Sequence, residues 1–439
     1  MNLGRAATVP GPVRAKPNRT ATTAVLAISF IGALGYSIVL PFLVFLVTRL
    51  GGDAVVYGVL VATYPTLQLV GAPVLGRWSD RYGRRRVLLL SHAGTAAGWV
   101  LFLVALFLPQ VELARLGGRV LTLPLVVLFL ARALDGLTGG NISVAQAYMA
   151  DVSDDDDRSA NFGRLAISSN LGFIAGPALA SVLGASVHGE VAPVLAAFAI
   201  ALAGLVLIAR MPDARPCVPP PNLQESGIRR VLGQEPKDCV PPAGAAARTV
   251  DVVRLVGIPF LLVLYFLLFL GFNLFYTAFP VHAVRFLRWE LAQTGAFFSA
   301  LSLMMVVVQG PVLSRLSRRV PDAALVIVGN LVLGGSFLVL YGADGRTAFV
   351  AAALFALGNG LMWPSFLSIL ARAAGPAHQG AVQGLGSSVG ALASIVGLLL
   401  GGFAYERIGA GTFLLAAGAI ELACVMSFWL PRSTPRGRP

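Results

Sequence analysis

Charged side chains are scarce in this sequence, and cysteine is scarcer still. Only 12% of the 439 residues are charged and 56% are hydrophobic, whereas an average soluble domain carries about 25% charged residues. So few polar groups cannot cover a water-soluble globule, and the same composition excludes a disordered chain, a collagen and a disulfide scaffold. The mean hydropathy of +0.79 therefore indicates a protein that crosses a membrane several times.

The sequence also lacks the patterns that mark enzymes and metal proteins. Its three cysteines, Cys217, Cys239 and Cys424, form no zinc spacing, and two of them fall in a segment expected in the reducing cytoplasm. It contains no Walker loop and no plausible catalytic triad. We therefore expect no enzyme activity, no metal and no cofactor. The net charge of +13 comes from basic residues beside apolar runs, so we expect no nucleic-acid partner either.

Twelve apolar runs are long enough for a transmembrane helix, which needs about 20 residues. They form two groups of six around residues 211–250, which hold eight prolines and mixed charges, as is typical of a linker. We number the runs spans 1 to 12. They lie near residues 21–47, 55–76, 87–109, 120–149, 162–186, 190–210, 251–282, 291–313, 322–342, 346–371, 379–403 and 409–430.

The distribution of basic residues predicts the orientation. With the N-terminus inside, cytoplasmic segments hold 25 Lys and Arg residues and external segments hold seven. Because positive charge favours the cytoplasmic side, both termini are expected there, in the plasma (cell inner) membrane. We predict an all-α monomer embedded in the lipid bilayer. Its domains are an N-terminal tail (1–21), a six-helix bundle (22–210), a cytoplasmic linker (211–250), a second six-helix bundle (251–431) and a C-terminal tail (432–439).

The two halves carry a short internal repeat. Residues 73–81 (PVLGRWSDR) and 311–319 (PVLSRLSRR) match at six of nine positions, each at the end of the second span of its half. Two six-helix halves related by repetition are the architecture of alternating-access transporters.

The loop after span 2 has the most specific pattern, GRWSDRYGRRR at 76–86. Gly76 is expected to let two helices approach, and Gly83 to permit a tight turn. Asp80 can pair with a base or lie against a helix N-terminus. The alternative is a basic loop that only fixes topology, but topology alone does not require this arrangement.

This loop, within residues 57–90, resembles the 12-helix drug:proton antiporters of the major facilitator superfamily, and the tetracycline efflux proteins in particular. Residues 128–177 also resemble them, as do residues 376–402 more loosely, so the resemblance covers most of the chain outside the linker and tails. It implies a fold of two six-helix bundles. The loop signature is specific to the superfamily but to no substrate.

In that family the loop helps to latch the two bundles together. Carried over, Asp80 would face the start of span 11, and Arg84 would pair with Asp151. In the second copy of the repeat Arg318 replaces the equivalent of Asp80, so the resemblance implies one complete latch. Its expected members are Gly76, Asp80, Arg81, Gly83, Arg84 and Asp151.

Span 4 carries two charges that are candidates for proton coupling. Arg132 and Asp135 are three residues apart, so they share a helix face and can pair. A charge at mid-membrane costs at least a few kcal/mol and persists mainly where it faces a cavity or a partner. The family ties this arginine to proton coupling or substrate binding; the alternative is a neutral pair that only packs helices. Relatives often carry an acid in span 1 that is absent here, which leaves Glu421 in span 12 as a further candidate and His92 as a weaker one.

Span 5 contains Gly172, Gly176 and Pro177, which resemble the kink of the antiporter motif. Ala180 and Ser181 stand where that motif usually has a glycine pair. Ordinary packing of small residues is the alternative.

Polar residues isolated in the apolar runs are candidates for a substrate cavity. Span 7 adds many aromatic residues, and an aromatic cavity suits flat, apolar or cationic ligands. For each residue, helix packing is the alternative role. The candidates are Tyr36, Gln68, Asn273, Tyr276, Gln309, Asn359 and Trp363.

These patterns predict a secondary transporter that exports small amphiphilic compounds in exchange for protons. The alternative is an uptake symporter or facilitator for a metabolite or sugar on the same fold. A membrane sensor or membrane-embedded enzyme would need a soluble domain or clustered catalytic groups, and the sequence has neither.

Overall fold

The computed structural model describes residues 19–116, 118–139, 141–153, 155–186, 189–212, 255, 257–374 and 379–430. Nearly all of the predicted N-terminal tail, most of the linker and most of the C-terminal tail lie outside the described residues. Cys217 and Cys239 lie outside them as well.

The described part of the chain is almost entirely helical. The first half contains α1 (Arg19–Arg49), α2 (Ala54–Tyr82), α3 (Arg84–Phe107), β1 (Glu112–Leu116), β2 (Arg119–Thr122), α4 (Leu123–Thr138), α5 (Asn141–Val152), α6 (Asp155–Gly184) and α7 (Val191–Ala209). The second half contains α8 (Ile258–Arg285), α9 (Leu291–Val307), a π-helical segment (Val308–Val312), α10 (Leu313–Leu316), α11 (Asp322–Tyr341), α12 (Gly345–Ala374), α13 (Gln379–Ile408) and α14 (Gly411–Ser427).

These helices have the lengths and surfaces of membrane spans. Within the described residues, eleven spans are long and apolar enough to cross a membrane, and α14 is a shorter apolar helix of 17 residues. Large apolar side chains are exposed on the outside of the bundles, such as Val70 (60%), Leu130 (56%) and Leu331 (58%). Exposure of this kind suits lipid, which is as apolar as the side chains. The prediction of a twelve-span all-α membrane protein is confirmed.

Span 4 departs from its prediction in the middle, where α4 ends and α5 begins. Gly139 forms the C-cap of α4, and its N–H donates to Gly136 O (3.0 Å). The carbonyl of Gly139 accepts a hydrogen bond from Gln68 Nε2 on α2 (2.8 Å). A side-chain donor thus satisfies a backbone carbonyl beside the break, as a helix end within a membrane requires.

The start of span 4 was also predicted wrongly, because residues 120–122 belong to a β-hairpin. β1 and β2 pair antiparallel between α3 and α4. Arg119 Nε lies 2.5 Å from Asp53 Oδ2, and Asp53 Oδ1 accepts a hydrogen bond from Val56 N (2.8 Å) as the N-cap of α2. The hairpin is therefore tied to the first turn of α2.

In both bundles, glycines allow the first and fifth spans to pack closely. A Cβ on Gly172 or Gly176 of α6 would lie within 2.4 or 2.0 Å of α1 atoms. A Cβ on Gly397 or Gly401 of α13 would lie within 2.8 or 3.0 Å of α8 atoms. The first and fifth spans of each bundle therefore meet through glycines four residues apart, one helical turn. This equivalence extends the repeat seen in the sequence.

The two bundles meet at the end of the molecule that holds Ala54 and Glu406, which we call the closed end. A Cβ on Gly58 of α2 would lie 2.8 Å from Leu398 O and 3.0 Å from Gly402 Cα on α13. On the other side of the interface, Ser181 Oγ of α6 donates to a carbonyl oxygen of α9 (2.9 Å). Backbones that approach this closely form a packed seal between the bundles.

Candidate functional site

A central cavity of about 630 Å³ lies between the bundles. Six of the seven residues predicted to line a substrate cavity lie on its wall: Tyr36, Asn273, Tyr276, Gln309, Asn359 and Trp363. The seventh, Gln68, lines an adjoining cavity of about 320 Å³ that shares Tyr36 and Asn273 with the first. Spans far apart in the sequence thus bring their isolated polar residues together. A volume of this size is typical of small-molecule sites.

The amide side chains that line the cavities differ in their hydrogen bonds to the protein. Asn273 Nδ2 donates to Phe269 O (2.7 Å) and to Ser394 Oγ (3.0 Å), so both of its N–H groups are engaged. Gln68 Nε2 donates to Tyr64 OH (3.0 Å) as well as to the backbone at the break in span 4. The side chain of Gln309 has no hydrogen-bond partner in the described part of the chain. Gln68 therefore has a structural role, whereas Gln309 is available to a ligand.

Aromatic rings form much of the remaining wall. Tyr265 and Phe269 are stacked, with centroids 5.0 Å apart, and the Trp363 ring lies edge-on to both at 5.2 Å. Phe272 and Tyr276 approach to 4.5 Å on the same helix. Aromatic surface of this extent favours flat, apolar ligands.

Several lining residues carried no signal in the sequence. Apolar residues of α2, α6 and α13 line the cavity, but an apolar residue in an apolar run looks the same whether it faces a cavity or lipid. Two small polar residues, Ser302 and Ser394, were also missed, although the argument from isolated polar residues would have found them. The apolar residues missed are Val61, Phe173, Ile174, Phe298, Met305, Val306, Pro364, Leu367 and Leu398.

The two charges of span 4 lie beside the central cavity but do not line it. Arg132 Nη1 is 3.4 Å from Asp135 Oδ2, and Asp135 Oδ1 accepts a hydrogen bond from Thr95 Oγ1 (2.9 Å). The Arg132 side chain is 3% exposed, and its Cζ lies 4.7 Å from the Tyr64 ring centroid and 5.9 Å from that of Tyr36. The predicted pairing is present, and Arg132 also packs on two aromatic rings.

Asp135 faces a small separate cavity of about 30 Å³ within the first bundle, which we call the Asp135 chamber. His92 and Thr95 of α3 line it together with Tyr36 and Tyr64. Its volume is about that of one water molecule. The chamber thus brings the weaker candidate His92 next to Asp135, which the sequence could not show.

Glu421 lies apart from all of these groups. It packs on α11, where a Cβ on Gly334 would lie 2.1 Å from Glu421 Oε1. It lines neither the central cavity nor the Asp135 chamber. The three residues predicted for proton coupling are therefore not brought together.

Arg84 connects the ends of three helices at the loop between α2 and α3. Its Nε lies 2.8 Å from Asp151 Oδ2 on α5, and its guanidinium also pairs with Asp80 and donates to Ser79 Oγ (2.7 Å). Gly83, between α2 and α3, has a φ of +95°, which favours glycine. The expected pair of Arg84 and Asp151 is present within the first bundle.

Gly76 has open space around it in the described part of the chain, and its predicted role stays a prediction. Within the described residues no heavy atom lies within 4 Å of a Cβ built there. A close approach occurs at Gly71, where a Cβ would lie 2.1 Å from Leu137 O on α4. Arg81 Cζ lies 5.2 Å from the Tyr82 ring. Asp80 was expected to face the start of span 11; residues 375–378, just before α13, lie outside the described part of the chain.

Comparison with known proteins identifies the fold. The family model described as Major Facilitator Superfamily matches residues 25–397 and 311–439. The chain belongs to the major facilitator superfamily. The class D tetracycline resistance protein of Salmonella ordonez is 28% identical over 385 residues, covering 87% of this chain and 89% of that protein. The class E protein of Escherichia coli is 29% identical over 396 residues, covering 89% and 88%. The resemblance seen in the sequence is confirmed.

Solved structures share the architecture. The human organic anion transporter MFSD10 (TETRAN) has a TM-score of 0.62 at 23% identity, covering 94% of this chain and 100% of that one. The peptide transporter POT has a TM-score of 0.69 at 17% identity, covering 93% of each chain. At these identities the likeness shows the fold alone. The chain is a multi-pass membrane transporter of this superfamily.

In this facilitator fold, the closed end carries a charged contact between the bundles. Glu406 Oε2 at the end of α13 accepts a hydrogen bond from Ala54 N (3.1 Å) at the start of α2. The same oxygen accepts one from Arg285 Nη1 on α8 (2.9 Å). A carboxylate at a helix N-terminus is favoured by the helix dipole. Glu406 therefore holds α2 against the second bundle, and the sequence analysis did not identify it.

The opposite end of the transporter has an opening beside the π-helical segment. A cavity of about 590 Å³ shares Gln309 and Pro364 with the central cavity, and Ser314 and Arg318 on its wall are exposed. π-Helical segments within α-helices often occur at functional sites. Gln309 thus stands between the central cavity and the surface.

Proposed function

We propose that this transporter exports small amphiphilic compounds in exchange for protons, by alternating access through the central cavity. The observation that carries the proposal is the pairing of two adjacent cavities. One is large, aromatic and placed between the bundles, and the other is small and holds a buried acid. Similarity to tetracycline resistance proteins over most of the chain supports efflux.

The proposed coupling site is the Asp135 chamber. Asp135 is 16% exposed at its side chain and has Arg132 as its ion-pair partner at 3.4 Å. Protonation of Asp135 would release Arg132 from this pair, and Arg132 packs on Tyr36 of the central cavity. A change of charge in the chamber would thereby reach the substrate wall. Glu421 has no such path, so we assign coupling to Asp135.

In the proposed conformational change the two bundles move apart at the closed end. The contacts of Gly58 with Gly402 and of Glu406 with Ala54 would break, and the loop around Asp80 and Arg84 would close against the second bundle. With both termini in the cytoplasm, as the basic residues favour, the closed end is external. The opening beside Gln309 would then admit substrate from the cytoplasm or the inner leaflet.

The test uses inside-out vesicles with an imposed proton gradient, acidic inside, and a panel of radiolabelled amphiphiles that includes charged and uncharged members. Wild type is expected to accumulate at least one member in a gradient-dependent way. Asp135→Asn is expected to lose this accumulation but to keep exchange of labelled for unlabelled substrate without a gradient. Asp344→Asn is the matched control, because Asp344 caps α12 through Thr347 N (2.8 Å) and asparagine caps equally well.

Two outcomes would overturn the proposal. Unchanged accumulation by Asp135→Asn, with an unchanged dependence on pH, would remove the coupling assignment. Gradient-driven loss of compound from these vesicles would instead indicate uptake, the alternative that the fold equally permits.

A further inference from the structure

The central cavity has a wall without ionisable charge. Among its described lining residues none is Asp, Glu, Lys, Arg or His, and the same holds for the adjoining cavity that contains Gln68. The polar groups of the wall are amides and hydroxyls. An ionised group moved from water into an apolar site is unfavourable unless a charged or strongly polar partner receives it. This wall contains no such charged partner.

The nearest charges in the first bundle are screened by two tyrosines, Tyr36 and Tyr64, which we call the tyrosine wall. Their ring centroids are 5.0 Å apart, the Arg132 Cζ lies 5.9 Å from the centroid of Tyr36 and 4.7 Å from that of Tyr64, and Arg132 lines neither the central nor the adjoining cavity. Asp135 lines its own chamber, whose volume of about 30 Å³ is too small for a substrate, and it lines neither the central nor the adjoining cavity. A ligand in the central cavity therefore meets phenol rings rather than these charges.

The hydrogen-bonding groups of the wall also suit an uncharged ligand. Both N–H groups of Asn273 are engaged by Phe269 O and Ser394 Oγ, which leaves its carbonyl oxygen as an acceptor. Gln309 offers a donor and an acceptor, since it has no partner in the described structure. A neutral ligand with hydroxyl or N–H donors can satisfy these groups, whereas an ionised one would remain without a counter-charge.

Aromatic faces attract cations, so an organic cation is the main competitor. The Tyr265 and Phe269 rings, however, stack on each other with an interplanar angle of 11°, and the Trp363 ring meets both at steep angles. These rings cover part of each other's faces. Of the three, Phe269 and Trp363 line the central cavity, and stacked or edge-on rings leave less free face for a cation than an open aromatic cage does.

We propose that the central cavity binds uncharged aromatic compounds with hydrogen-bond donors, and discriminates against organic cations and organic anions. This inference rests on the proposed function, because it names the substrate class of the same cavity.

The test compares three ligands with one aromatic skeleton. The uncharged probe is N-phenyl-1-naphthylamine, the anion is 8-anilino-1-naphthalenesulfonate, and the cation is N-phenyl-1-naphthylamine carrying a trimethylammonium group. Saturable binding is measured with the full-length protein in nanodiscs, and binding to empty nanodiscs is subtracted. We expect the uncharged probe to bind at least tenfold more tightly than either charged one.

A charge placed in the cavity should change this order. Gln309→Glu breaks no hydrogen bond of the described structure and adds a carboxylate to the wall. We expect it to tighten binding of the cation at least tenfold and to leave the anion excluded. Gln146→Glu, on an exposed face of α5, is the matched control and should leave all three affinities unchanged.

The outcomes separate this inference from the proposed function. If wild type binds a charged probe as tightly as the uncharged one, or more tightly, the inference that the substrates are uncharged is refuted. The proposal that the protein transports amphiphilic compounds is not affected by that result. Failure of all three to bind above the empty nanodiscs would overturn both. An unchanged affinity of Gln309→Glu for the cation would show that wall charge does not set the selectivity, which also overturns the inference.

Discussion

Substitution of Gly402 by alanine should open the closed end. A Cβ on Gly402 would lie 2.5 Å from Ala54 O and 3.0 Å from Gly58 Cα, and both of these are backbone atoms. Restoring an ordinary contact of about 3.4 Å requires α2 and α13 to separate by about 0.9 Å, from 3.4 minus 2.5. Overpacking of this kind typically costs about 1–3 kcal/mol.

The cost falls only on the state in which α2 and α13 touch. The equilibrium should therefore shift toward the state with the closed end open by about 5- to 150-fold. A cysteine at position 61 reports this shift, because Val61 lines the central cavity one helical turn from Gly58 and is 5% exposed. With the three native cysteines replaced by serine, its alkylation by a membrane-impermeant maleimide is measured from the side of the closed end.

Gly402→Ala is expected to raise the initial labelling rate by a factor within that range. The matched control is Gly335→Ala on α11, where no heavy atom of the described structure lies within 4 Å of the new Cβ. An unchanged rate in Gly402→Ala, or an equal rise in Gly335→Ala, would refute the conclusion that backbone contact of α2 with α13 seals this end.

Three further predictions concern individual contacts within and between the bundles. Glu406→Gln, which replaces the carboxylate at the N-terminus of α2 by a neutral amide, should raise the same labelling rate by only about 2- to 5-fold, because such a charge contributes about 0.3–1 kcal/mol. Arg84→Ala should lower the free energy of unfolding of the purified protein by about 2 kcal/mol, because Arg84 pairs with two carboxylates and donates to Ser79. Arg86→Ala, at an exposed position, should change this free energy by less than about 0.5 kcal/mol in the same denaturation assay. Gly172→Val should abolish the yield of folded protein in size-exclusion chromatography, because a Cβ at this position would lie 2.4 Å from Phe30 O. Gly35→Ala should be tolerated, because its Cβ would have no described atom within 4 Å.

Much of the fold could be predicted because each span is a long apolar run and the bilayer sets its length. The break after Gly139 could not, because the run continues through it and the donor that stabilises it, Gln68, comes from another span. The hairpin at 112–122 was missed because its alternation is short and lies next to a longer apolar signal.

The candidate site was predictable to the extent that its chemistry is unusual in a membrane. An isolated amide such as Asn273 or Asn359 stands out in an apolar run, and six of seven such residues do meet in one cavity. A phenylalanine such as Phe173 does not stand out. Which glycine permits close packing also depends on the partner helix, so the contact of Gly71 with α4 could not be predicted from the sequence.

The shortness of α14 has a consequence for the membrane around the transporter. Its 17 residues extend about 25 Å at 1.5 Å per residue, whereas the hydrocarbon core of a typical bilayer is about 30 Å thick. Phe428 and Trp429 follow at once and are 60% and 71% exposed, as aromatic residues at a lipid headgroup boundary are. A span shorter than the hydrocarbon core is accommodated by local thinning of the bilayer or by its flanking residues, so the acyl-chain length of the host lipid becomes a variable that acts on the second bundle.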